Sequence, residues 1–97
     1  MKLFRRLRRR LAKELPLDLP VRVVFRKIDT DGWTHATQGN TRWLIRIRKG
    51  LSEVAACHVL YHEWAHALSD FRDDPHDDLY WIEHGRCYKV WERLIDS

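Results

Sequence analysis

Apolar residues at three- and four-residue steps open the chain: Leu3, Phe4, Leu7, Leu11 and Leu15. That spacing predicts an amphipathic helix over 2–14, because such positions share one face of a 3.6-residue turn. Pro16 and Pro20 then break the pattern and bracket a short linker. From 21 to 27 the period changes to two, with Val21, Val23 and Phe25 alternating with Arg22, Val24 and Arg26, which predicts a strand. Asp29-Thr30-Asp31-Gly32 signals a turn, 33–37 a second short strand, and Gln38-Gly39-Asn40 a hairpin loop whose glycine supplies a positive φ. Trp43, Ile45 and Ile47 against Arg42, Arg46 and Arg48 predict a third strand over 41–48. One face of such a sheet is apolar and the other strongly basic.

Beyond Lys49-Gly50, Ser52 is placed to cap a helix with Glu53 in its first turn. That helix, 53–69, is apolar nearly all round, which predicts burial. An acidic loop follows over 70–78. A closing helix over 79–95 has Leu79, Ile82, Tyr88, Trp91, Leu94 and Ile95 among its apolar positions. Helices and strands in this order predict an α+β architecture: a basic helix, a three-stranded antiparallel sheet, a buried helix and a C-terminal helix. The 97 residues suffice for one compact domain, 1–97. No repeat or low-complexity tract divides them.

Composition changes this picture in one respect. The net charge of +4 conceals a split. Residues 1–49 hold 14 Lys/Arg against 4 Asp/Glu, a net of +10, and residues 50–97 hold 4 against 10, a net of −6. The asymmetry has two readings: the halves neutralise each other by packing together, or the basic half meets a polyanion. The candidate contacts are Arg5, Arg6, Arg8, Arg9 and Arg10 on the first helix, with Arg22, Arg26, Arg42, Arg46 and Arg48 on the sheet. The first helix is also a candidate for lying on an anionic membrane. No run of 18 apolar residues exists, so no transmembrane span is expected, and the basic start lacks the apolar segment of a secretory signal. Cys57 and Cys87 form no CxxC and no disulfide framework, and are expected as buried thiols in a reducing cytoplasm.

The chemistry concentrates in His62-Glu63-Trp64-Ala65-His66, which fits H-E-x-x-H within the buried helix. Residues four apart share a helix face, so two imidazoles can converge on one tetrahedral Zn²⁺. Glu63, one residue on, stands beside the metal, where a carboxylate can take a proton from bound water and pass it to a leaving amine. With six His and five Glu in the chain, shuffling yields the motif in roughly 2% of orderings, and the helical context lowers that further. A catalytic zinc takes a third protein ligand and leaves one position open. His76, Glu83 and His84 are candidates by position, and position alone does not choose among them. Glu83 could instead orient a ligand histidine, and Tyr80, His84 or Tyr88 could stabilise an oxyanion. His35 and His58 are read as structural. The third strand is a place for an extended peptide to pair.

Leu60-Tyr-His-Glu-Trp-Ala-His-Ala-Leu68, a short loop, His76, Tyr80 and the helix carrying Gly85-Arg86-Cys87-Tyr88 resemble the SprT-like zincins, in particular small phage and bacterial metallopeptidases of that type. The resemblance covers 51–91, and before that it is architectural. It implies a minimal zincin fold, one Zn²⁺ per chain held by His62, His66 and His76, Glu63 as general base, and a protein or peptide substrate met in the cytoplasm (the host's, for a phage-encoded chain). Asp77-Asp78-Leu79 departs from the Gly-Pro-Glu usual after the third ligand, and the Cys-rich zinc ribbon of some relatives is absent. No Met-turn follows, which excludes a metzincin. The contrasting expectation is a zinc-stabilised nucleic-acid or polyanion-binding module without proteolytic activity, bound through the basic half in a salt-dependent way.

Overall fold

A computed structural model of the chain describes residues 1–37, 39–69 and 78–96. Its elements run α1 (Lys2–Glu14), β1 (Val21–Arg26), β2 (Gly32–Ala36), β3 (Trp43–Arg48), α2 (Glu53–Ser69) and α3 (Asp78–Ile95). The architecture is α+β, as the change of period predicts. Most of the expected acidic loop, 70–77, and Gln38 of the hairpin loop lie outside the described residues.

The sheet is mixed rather than wholly antiparallel, in the order β1-β3-β2. β2 and β3 form the expected hairpin, with Gly39 at φ 80° and Asn40 at φ 53° in its loop. β1, however, pairs β3 in parallel, from Val21↔Trp43 to Arg26↔Arg48. Residues 27–31 carry the chain past the place β3 later fills. Two strand spacings, roughly 10 Å, are well within the reach of five residues. Hydrogen bonds from Arg48 N to Asp31 O (2.8 Å) and from Lys49 N to Arg26 O (2.9 Å) clamp the end of β3 between its neighbours. The third strand is therefore central, with both its edges paired. An added peptide strand has only β1 and β2 to join, which corrects the placement expected from sequence.

The three helices build the core on one face of this sheet. Phe4, Leu7 and Leu11 of α1 are buried, with the Phe4 ring 5.2 Å from Phe25 of β1. α1 packs against α2 and α3, and α2 lies across β2 and β3. Trp64 of α2 is 1% exposed, and its Nε1–H donates to Leu15 O at 2.9 Å, tying the centre of α2 to the end of α1. Glu53 joins the two helix starts, since its carboxylate accepts from Phe4 N at 3.2 Å. Ser52 Oγ accepts from Ala55 N at 3.2 Å, the N-cap contact the sequence suggests.

In α3 the buried stripe is Tyr80, Glu83, Cys87, Val90, Trp91 and Leu94. Leu79, Ile82, Tyr88 and Ile95, counted among the apolar positions, are 45–60% exposed. Apolar residues ring this helix, so the stripe cannot be phased from them alone. Its true phase carries a carboxylate, Glu83, into the interior.

α1 keeps its apolar stripe in the core, so no free apolar face remains to enter a membrane. No described helix is long and apolar enough to cross one.

Candidate metal centre

The H-E-x-x-H sequence falls in the fourth turn of α2. Its helix is apolar on every side, and it is enclosed by β2 and β3 below and by α1 and α3 at its flanks. Burial therefore extends to its polar residues: Glu63 is 5% exposed and His66 6%. The imidazoles of His62 and His66 stand with centroids 4.9 Å apart at 81°. Among the described residues, His62, Glu63 and His66 form the one group offering three metal-ligand atoms, all within 4.8 Å of one another. Two imidazoles and a carboxylate converging from one helix, two of them in the protein interior, fit a divalent ion of the zinc type.

Glu63 is set by the strand beneath it. Thr34 of β2 donates its hydroxyl to Glu63 Oε1 at 2.6 Å and also reaches Glu63 O at 3.3 Å. Burial raises the Glu63 carboxyl above its ordinary value, and the Thr34 hydrogen bond pulls in the opposite direction. Glu63 Oε2 lies 4.0 Å from His62 Nε2. Gly32 allows this approach of helix to strand: a Cβ there would stand 2.5 Å from Val59 Cγ1 and 2.9 Å from Glu63 Cγ. Asp31, Gly32, His58, Val59, His62 and Glu63 line a cleft of about 330 Å³ beside the carboxylate.

Tyr80 of α3 closes the other side. It is fully buried. Its ring stacks on His66 at 4.3 Å and 30°, and its hydroxyl lies 2.7 Å from His62 Nδ1. The same hydroxyl lies 3.4 Å from Nε2; were Nε2 to face a metal, Nδ1 would carry the proton and donate to the Tyr80 oxygen, a contact that orients a ligand imidazole. Burial first, then the nearby Glu63 charge, hold the Tyr80 hydroxyl well above its ordinary value, so it remains protonated.

The other candidate residues separate. Glu83 is buried on α3 and accepts from Arg86 at 2.7 Å, and it stands outside the three-residue cluster. His84 approaches His62 to 5.8 Å between centroids, and burial lowers its basicity, but it contributes no atom to the cluster. His76 lies outside the described residues. His58 packs edge-on against Trp91 at 5.3 Å and lines the cleft, and His35 stacks beside Trp33 at 4.4 Å.

Sequence reading missed Gly32 and Thr34. Gly32 was legible only as a turn residue, yet its role is the closeness of α2. Thr34 offers one weak signal, a hydroxyl at an inward position of a strand.

Comparison with protein-family models, with curated proteins and with solved structures finds no match to this chain.

Proposed function

We propose that the chain is a zinc-dependent peptidase of SprT-like character. The observation that carries this reading is the convergence of His62, Glu63 and His66 within 4.8 Å, with the carboxylate buried and tied to Thr34 beside an open cleft. The motif resemblance over 51–91 supports the same reading.

In this reading His62 and His66 hold the ion, and His76 is the third ligand that the resemblance implies. A zinc ion bound there supplies a Lewis acid that brings the pKa of its water toward about 7. Glu63 takes the proton of the attacking water and delivers it to the departing amine nitrogen as the C–N bond breaks. Thr34 fixes the carboxylate through one oxygen, and Tyr80 keeps the His62 ring in its tautomer and orientation. The substrate backbone would lie along β2, the sheet edge next to Glu63.

Metal content and proteolysis measured side by side test the proposal. Wild type should hold one zinc per chain and cleave a fluorescently labelled unstructured protein. Glu63→Gln should keep the zinc and lose cleavage by about 10²–10⁴-fold, the usual contribution of a general base. His66→Ala and His76→Ala should lose the zinc. A wild type that binds no zinc, or a Glu63→Gln variant that cleaves normally, would overturn the assignment.

A further inference from the structure

The sheet has a second face, turned away from α2. Side chains alternate across a strand, and the register sorts them. Thr34, Ile45 and Ile47 point to the helices, while Arg22, Arg26, Arg46, Arg48, Trp33 and His35 share the opposite side. In the middle row Arg46 lies opposite both Val24 and Trp33. Its guanidinium carbon sits 4.8 Å from the Trp33 ring centroid. The His35 imidazole lies 4.4 Å from the same ring. Trp33 nevertheless remains 47% exposed. No described helix packs on this side. Among the described residues the carboxylates beside it are Asp31, 3.7 Å from Arg48 at the strand end, and Asp29, which lines one hollow with Arg48.

We propose that this face binds single-stranded nucleic acid, with Trp33 as the stacking platform for a base and Arg22, Arg26, Arg46 and Arg48 on the phosphates. Three features select this occupant. Four guanidinium groups, against two described carboxylates gathered at the Arg48 end, call for a polyanion. An indole that stays 47% exposed beside a guanidinium and an imidazole offers π-surface, which bases use and a purely anionic polymer does not. A shallow three-stranded sheet suits an unpaired strand, whose bases can splay onto it, better than a duplex, whose bases are already stacked and paired. The inference stands apart from the peptidase reading, since none of these residues belongs to the metal centre.

Fluorescence anisotropy of the full chain with a labelled oligothymidylate of about 12 nucleotides, within the range that sheet-based binders cover, tests it. The affinity should fall with salt at a log–log slope of about −3, from four phosphate contacts at roughly 0.7 each. Trp33→Ala should weaken binding about 5- to 100-fold, the usual value of one stacked base, with Trp33→Phe recovering most of the loss. Arg46→Gln should weaken binding and flatten the salt slope by about 0.7. Arg9→Ala on α1 should leave the affinity unchanged. Circular dichroism melts of each variant should match wild type, because the substituted side chains face solvent. Absence of binding would overturn the proposal. So would equal affinity for a duplex of the same length, or binding lost in Arg9→Ala and kept in Trp33→Ala.

Discussion

α1 and α2 are neighbours in the core, yet they treat their polar residues in opposite ways. α1 commits a single stripe, Phe4, Leu7 and Leu11, to the interior and leaves its arginines in water. Among the described residues Arg5, Arg6, Arg8 and Arg9 form no ion pair. Arg10 pairs within its own helix to Glu14, which also meets Arg93 of α3. Among the described residues the acidic half supplies no partner to these four arginines. α2 packs against β2, β3, α1 and α3, so Glu63 and His66 are buried, while Val54 and His58 nearer its start stay exposed. A guanidinium in water behaves as it does in any peptide, whereas a carboxyl out of water changes its basicity and depends on one hydroxyl. Chemical capacity follows from enclosure rather than from charge.

Three substitutions would break or sharpen this contrast. The largest effect is expected on α2 at Trp64. Trp64→Ala empties a fully enclosed site and orphans Leu15 O, and should cost about 3–5 kcal/mol in urea unfolding. A loss below about 1 kcal/mol would mean that α2 is not the enclosed helix described.

Next is Thr34→Val, which should destabilise the metal-free protein by about 1–3 kcal/mol at neutral pH by depriving Glu63 of its donor. The sign with pH follows from linkage. The Glu63 carboxyl titrates higher in the folded state than in the unfolded one. The folded chain thus binds more protons between the two values, and this group's contribution to stability declines as pH rises through that window. Thr34→Val raises the folded value further and extends the decline. The deficit should be smallest near pH 4 and should grow toward pH 7, the side on which Glu63 ionises. A deficit independent of pH would show that Thr34 acts by packing alone.

The smallest effect belongs to α1. Arg9→Ala should shift stability by no more than about 0.5 kcal/mol, as exposed positions without partners do. A larger loss would reveal a contact of α1 beyond its apolar stripe.

Much of the site was legible because H-E-x-x-H is a local pattern. Four residues of helix place His62 and His66 on one face whatever surrounds them, and the apolar run around them foretold burial. α3 was harder to read, because Leu79 and Ile82 are exposed while Glu83 is buried, an exchange that periodicity cannot see. Glu83 and His84, open as ligands by spacing, stand outside the cluster because α3 turns Tyr80 toward His62 and His66 instead.

The sequence by itself determined the order and kind of the elements, the H-E-x-x-H pattern of α2 and the basic character of the outer sheet face, since each depends on residues a few positions apart. Tertiary structure alone decided that β3 is central and parallel to β1, that Gly32 lets α2 close on β2, and that Thr34 meets Glu63. Those facts join residues 22 to 31 positions apart. Strand order and helix approach are settled by competition among many weak apolar contacts in the whole core, and no local period records the outcome.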